Sequence, residues 1–277
     1  MALITIKNVS KRFGQRDVLA NINLEVEEGE FVSIVGASAS GKTTLLKLAA
    51  GLVEASSGSV EVAGEKLTGF PSGAAIVFQN YSLLPWLSSF ENVQLAVESA
   101  FPEWSKEKQR EQAVKYLEKV GLGAALTKRP NQLSGGMRQR VAIARAFAVE
   151  PKLIFLDEPF GALDALTRAT LQQELAELCQ AQTPRATALM ITNSVDEAIL
   201  LSDRILALGR GPGATLSPAV PVTLPRPRAV TGMVPDERVL RMRTHVTEFL
   251  VAGSRTTAPR RRMRVTATEQ IPVEANT

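Results

Sequence analysis

The sequence is short of several residue types, and each shortage excludes something. Its one cysteine, Cys179, rules out an internal disulfide and a cysteine-only metal site. That residue sits in the helix-like stretch LQQELAELCQAQ and reads as a small buried apolar side chain. The one histidine, His245, falls near the end on the polar face of a short amphipathic stretch and reads as a solvated surface residue. No apolar run approaches the roughly 20 residues that span a bilayer. The opening MALITIKNVSKRF has no long apolar region with a small-residue cleavage site, which predicts no secretory leader and a chain that stays in the cytoplasm.

What is present is an ordinary globular composition: 277 residues, 45% of them hydrophobic, with a net charge of +4. The charge is unevenly spread. Residues 226–277 hold ten Arg against five Asp or Glu, so the remainder sums to about −1. With a neutral body and a basic end that lacks interleaved aromatics, nucleic acid is excluded as the expected partner.

Short β-like runs at Leu3–Val9, Ile22–Val26 and Ser59–Val62 open the chain. The compact apolar run Phe31–Val35 then ends in a glycine-rich loop, followed by helical character over Thr43–Ala50 and a stop at Gly51. Residues from about 86 to 150 read mainly as helix, including Ser105–Val120 with Ala113, Leu117 and Val120 on one face. Leu153–Leu156, Ala188–Ile191 and Arg204–Leu208 read as further strands, with a helix over Leu166–Gln180 between the first two. Ser194 and Glu197 have the spacing of a reciprocal helix cap. From about residue 211 the prolines at 212, 218, 221, 225 and 227 predict a turn-rich linker. A short amphipathic helix is expected over Pro235–Val251, and disorder over the last 25 residues. The expected layout is therefore an α/β domain over 1–225, interrupted by a helical insertion, and a basic Pro/Arg-rich tail over 226–277 that is dispensable for chemistry.

Two motifs carry that chemistry. Gly36-Ala37-Ser38-Ala39-Ser40-Gly41-Lys42-Thr43, with Thr44 beginning the helix body, fits G-x-x-x-x-G-K-[ST] between a strand and a helix. Such a loop cradles phosphate with backbone N–H groups. Lys42 supplies positive charge at the β and γ phosphates and is expected outside the core, and Thr43 offers its hydroxyl to Mg²⁺. Leu153-Ile-Phe-Leu156-Asp157-Glu158 delivers two acids at the end of a buried strand. Asp157 is placed to hold Mg²⁺ through water, and Glu158 to polarise an attacking water as general base.

A third motif, Leu133-Ser134-Gly135-Gly136-Met137, resembles the LSGGQ signature of the ABC transporter ATP-binding subunits, with Met in its last place. Ser134 and the two glycines at a helix start make a second anion site. The resemblance spans about residues 1–225 and implies a P-loop NTPase (RecA-like) core, an N-terminal antiparallel β subdomain and an inserted helical subdomain. It also implies a dimer in which the signature of one subunit closes on ATP held by the other. Phe13 matches the aromatic that stacks on adenine, with a core Phe as the other reading. Gln79 matches the glutamine that reaches Mg²⁺ and the attacking water, and Asp164 the loop that crosses the dimer interface. Leu84-Pro85-Trp86 falls near the groove that takes a coupling helix, with Trp86 as core the alternative. The implied ligands are ATP and Mg²⁺. The implied partners are a transmembrane permease, a second ATP-binding subunit (a copy or a paralogue) and, indirectly, an extracytoplasmic solute-binding protein. The implied place is the cytoplasmic face of the inner membrane.

Two positions depart from the family pattern. Asn193 stands where a histidine is usual, and it is shorter and cannot carry charge. Ala39 stands at a usual glycine, a strained choice if that position needs a positive φ. Leu83–Leu87, Phe90–Val93, Val195–Arg204 and Pro225–Arg228 look like the nitrate/sulfonate/taurine importer group, the nitrate, nitrite, cyanate or bicarbonate branch most closely. A sulfonate importer and a catalytically weak subunit beside a competent paralogue are the alternatives.

Overall fold

The computed structural model of the protein describes residues 2–161, 163–181, 185–228 and 236–255. Two long strands, β1 (Ala2–Phe13) and β2 (Arg16–Glu27), pair antiparallel and join β4 (Ser57–Val62) and β5 (Glu65–Lys66) in a four-stranded sheet of order β2-β1-β4-β5. Ile4, Ile6 and Val9 on β1 and Ile22, Leu24 and Val26 on β2 supply its buried face, largely at the two-residue period of a half-buried strand. Both strands run past the limits expected from the sequence: β1 continues through the partly exposed residues 10–13, while β2 begins at Arg16 and buries Leu19, and register shifts break the alternation between Val9 and Arg12.

The second sheet has the order β10-β9-β3-β8-β7-β6. Its members are β3 (Phe31–Val35), β6 (Ala74–Val77), β7 (Leu153–Asp157), β8 (Thr187–Thr192), β9 (Arg204–Ala207) and β10 (Val220–Pro221). Every residue of β3, β7 and β8 is buried, as near-continuous apolar runs in a parallel sheet must be. β10 alone pairs antiparallel, against β9. Helix α1 (Lys42–Ala49) follows β3 directly. Helices α2 (Ser89–Ala100), α3 (Lys106–Lys119) and α4 (Gly135–Phe147) lie between β6 and β7. Two more, α5 (Ala165–Ala181) and α6 (Val195–Leu201), alternate with the last parallel strands. Ser88, Ser105 and Ser134 cap α2, α3 and α4 by accepting the N–H groups of Glu91, Lys108 and Met137. Cys179 is buried, and burial pushes its thiol up to about 12, so it packs as an inert apolar side chain.

The proline-rich segment is more than a linker. β10 sits within it, and Arg226 and Arg228 reach back to the C-terminal end of α6. Arg228 donates to the carbonyls of Ile199 at 2.9 Å, Leu224 and Ser202, while Arg226 donates to Leu201 and to Asp203 at 2.8 Å. These guanidinium groups satisfy the orphan carbonyls that end a helix. Burial lowers the pKa of Arg228 to about 10, with the charge of Arg226 acting in the same direction. The expected amphipathic helix is present as α7 (Glu237–Arg255), two residues later at its start. Val239, Met242 and Val246 bury themselves in the same core as Leu200 and Ile205. His245 is exposed, as expected. The rest of the expected disordered end lies outside the described residues.

Residues 226–228 and the helix α7 therefore pack against the body, so this part of the tail contributes to stability although it carries none of the catalytic motifs. Three buried apolar side chains contribute roughly 1.5 kcal/mol or more each. A chain ending at Leu224 should lose roughly 5 kcal/mol, a fall in melting temperature on the order of 10 °C. A calorimetric melt within about 2 °C of the full chain would contradict this packing account.

Candidate functional site

The loop between β3 and α1 folds over its own lysine. Lys42 is only 3% exposed, so the sequence-based placement outside the core is corrected. Its Nζ donates to the carbonyls of Gly36 and Ala37, both at 3.0 Å, and to Asn193 Oδ1 at 2.7 Å. A Cβ at Gly36 would lie 2.9 Å from Ser40 Oγ and 3.1 Å from the Leu208 carbonyl, so only glycine leaves the loop this tight. Ala39 has φ 62°, the left-handed region, which strains an L-residue by about 1 kcal/mol. Gly41 takes φ 104° at the start of α1, and no side chain caps that helix. Its first N–H groups are the loop's ready-made anion donors. Ser40 Oγ is buried there without a hydrogen-bond partner, a polar atom that fits an added phosphate oxygen.

Glu158 follows β7 with φ 44° and is held by β8, its N–H donating to the Ile191 carbonyl at 3.0 Å. Its carboxylate faces the loop lysine, with Oε1 3.2 Å from Lys42 Nζ. Asn193, at the end of β8, bridges the two: Nδ2 donates to Glu158 Oε2 at 2.8 Å while Oδ1 accepts from Lys42. The ammonium only donates and the carboxylate only accepts, so those partners fix the amide's orientation. Oδ1 and one N–H of Asn193 are thus engaged by protein groups, and the amide keeps a second N–H.

Beside this pair, Thr43 Oγ1 donates to Asp157 Oδ1 at 3.2 Å. Burial pushes the Asp157 carboxyl up, and the Thr43 bond opposes that shift. Gln79 completes the cluster, with Nε2 3.4 Å from Glu158 Oε2. Four segments distant in sequence, at the ends of β3, β6, β7 and β8, therefore converge at the carboxyl edge of the parallel sheet, where such folds bind ligands.

The segment after Gln79 contains a feature that the sequence reading missed. Tyr81 and Ser82 have φ 67° and 46°, and Arg145 on α4 holds both carbonyls, at 3.0 Å and 2.7 Å. The signal was available: Arg145 is a lone charge within the apolar run Val141–Phe147.

Within one chain the structure does not bring every expected site residue to this cluster. Phe13 is 51% exposed at the end of β1, with Lys11 Nζ 4.7 Å above its ring, so the core reading of that residue fails. Trp86 is 64% exposed, which likewise removes its core reading. Ser134, Gly135, Gly136 and Met137 form the start of α4. A Cβ at Gly136 would meet Thr167 Cγ2 at 2.5 Å, so that glycine permits close approach to α5. Asp164 caps α5, accepting from Thr167 N at 3.0 Å, and those hydrogen bonds hold its carboxyl below its usual value. Among the described residues, no hydrogen bond or ion pair ties Phe13, the Ser134–Met137 segment or Asp164 to the Gly36–Thr43 loop.

Comparison with known proteins agrees with this geometry. The sequence profile described as ABC transporter matches residues 19–161, just over half of the chain. The nitrate transport protein NasD of Klebsiella oxytoca is 45% identical over 90% of this chain and 96% of its own length. The bicarbonate transport ATP-binding protein CmpC of Synechococcus elongatus is 45% identical over 89% of this chain, which spans only 38% of that relative. Among solved structures, the dimeric post-hydrolysis state of the ATP-binding cassette MJ0796 bound to ADP and Pi is 32% identical. It aligns with a TM-score of 0.69 over 80% of this chain and 99% of that one. A glycine-rich loop of the G-x-x-x-x-G-K-[ST] pattern between a strand and a helix, paired acids on a buried strand and two relatives aligned over nearly all of the sequence lead to one assignment: this chain belongs to the ABC transporter family, as an ATP-binding cassette of α/β P-loop fold.

Proposed function

We propose that this chain is the ATP-hydrolysing subunit of a membrane importer for a small inorganic anion, nitrate or bicarbonate. The observation that carries the hydrolytic reading is the convergence of Lys42, Asn193, Glu158, Asp157 and Thr43 at one edge of the sheet. Lys42 and the α1 N-terminus bind the phosphates, and Glu158 accepts a proton from the attacking water. Thr43 and Asp157 are two hard oxygen donors, few enough to suit a Mg²⁺ ion shared with phosphate oxygens and water. That ion supplies charge neutralisation at the phosphates when bound. Gln79, hydrogen-bonded to Glu158, orients the same water.

Phe13 serves adenine, and its exposure leaves the ring face away from Lys11 open for stacking. The Ser134–Met137 segment and Asp164 serve the nucleotide of a second ATP-binding subunit, which explains their separation from this chain's own loop. The chain acts as a peripheral subunit at the cytoplasmic face, against a transmembrane permease fed by an extracytoplasmic solute-binding protein. The relatives named for nitrate and bicarbonate favour those solutes over sulfonates. Removing this chain from its own cell should abolish uptake of labelled nitrate or of labelled bicarbonate; undiminished uptake of both would count against the importer reading.

The site is also the slower of two unequal ones. Asn193 stands uncharged at the histidine position with its oxygen and one N–H engaged by Lys42 and Glu158, and loss of one transition-state donor costs about 10²–10³ in rate. Asn193→His in the assembled transporter should raise ATP turnover several-fold. If it changes nothing, and Glu158→Gln in this chain alone stops turnover, the sites are not unequal in this sense.

A further inference from the structure

Glu197 has a role that its spacing from Ser194 does not convey. Ser194 Oγ accepts the Glu197 N–H at 3.3 Å, but the return bond expected of a reciprocal cap is not made. Ser194 N–H goes instead to Thr192 Oγ1 at 3.1 Å, and the same hydroxyl donates to Glu197 Oε2. The carboxylate is turned inward and is only 6% exposed. Its other oxygen accepts from Gln172 Nε2 at 3.3 Å and faces Arg168 Nε at 3.9 Å, both on α5. Burying a carboxylate is costly unless it is paired, so a helix that needed only packing would be better served by an apolar side chain.

The groups it holds are the ones that hold the base. Thr192 accepts the Gly36 N–H through its carbonyl at 3.3 Å, Ile191 accepts the Glu158 N–H, and Asn193 donates to the Glu158 carboxylate. On the other side, Arg168 Nη2 donates to the Leu163 carbonyl at 3.0 Å, just beyond the turn in which Gly161 N–H meets the Glu158 carbonyl at 3.1 Å. Glu197 therefore sits between the strand end and the turn that flank Glu158. The Arg168 contact is slack: Nε is buried yet makes no hydrogen bond at 3.9 Å, so a small shift of α5 would close it.

We propose that Glu197 is a positioning residue for hydrolysis, which fixes the strand end bearing Asn193 through Thr192 and couples it through Arg168 to the turn after Glu158. This rests on Glu158 being the general base. Glu197→Gln keeps an acceptor for Thr192 but removes the charge that faces Arg168; Arg168→Ala removes the other half of the contact.

The test measures phosphate release by the full-length chain with Mg²⁺ and ATP, for both single variants and the double. Each single should lower kcat about three- to thirty-fold. KM should stay within about twofold, because the phosphate contacts are untouched. The double should be no slower than the worse single, since both act through one contact. Arg168→Lys should recover part of the rate lost in Arg168→Ala. Unchanged kcat in soluble, folded singles, a loss confined to KM, or multiplicative losses in the double would each overturn the proposal. Should Glu197→Gln fail to fold, the Arg168 pair decides: equal kcat in Arg168→Lys and Arg168→Ala overturns it. ATP binding by Lys42→Ala, titrated alongside the phosphate-release assay, separates the two readings. If it binds ATP normally, the nucleotide site itself is wrong; if it loses ATP while the Glu197 and Arg168 variants keep full kcat, only the positioning role falls.

Discussion

Lys42→Ala should lower the affinity for ATP by about a hundredfold or more, because truncating one partner of a buried, hydrogen-bonded charge contact costs 2–5 kcal/mol. The lysine is the one cation in contact with the loop carbonyls of Gly36 and Ala37, the amide of Asn193 and the carboxylate of Glu158 among the described residues. Without it, Glu158 and Asp157 present negative charge to an incoming triphosphate. The substitution also leaves a gap, since Lys42 is buried, so stability must be measured alongside affinity. Lys42→Met fills that gap without restoring charge and should show the same loss of binding. Titration of a fluorescent ATP analogue reads both variants; affinity equal to that of the unmodified chain in either one would refute the phosphate role.

The residues of the proposed site form patterns that are legible locally in the sequence, and their structural support is not. Gly36–Thr43 and Asp157-Glu158 were legible because phosphate binding demands fixed residue types at fixed spacing beside strand ends. β3, β7 and β8 were legible because a strand buried on both faces must be apolar throughout. Ala39 showed where a strained backbone would fall if the loop kept its usual shape, and its φ of 62° shows that it does.

What stayed hidden depended on partners far along the chain. Arg226 and Arg228 looked like members of a basic tail, yet their donors serve the end of α6, some 25 to 29 residues away. The apolar stripe of α7 was visible, but not the core that receives it. Glu197 looked like half of a cap, and only the fold reveals Gln172 and Arg168 waiting beside it. β6 was passed over because Ala74–Val77 is four residues long and half of them are alanine.

The central claim is that Glu158 cleaves a nucleotide that Lys42 and its loop bind independently. Glu158→Gln preserves the side chain's size and its capacity to accept from Asn193, while it removes the base. The most direct measurement is ATP bound and ATP cleaved, followed together in the full chain with Mg²⁺, for the unmodified protein and for Glu158→Gln. The account predicts ATP affinity within a fewfold of the unmodified chain and phosphate release slower by about 10²–10⁴. The uncleaved nucleotide should accumulate in a dimer visible by size-exclusion chromatography with the partner subunits present. Phosphate release by Glu158→Gln at the unmodified rate, with ATP bound normally, would contradict it.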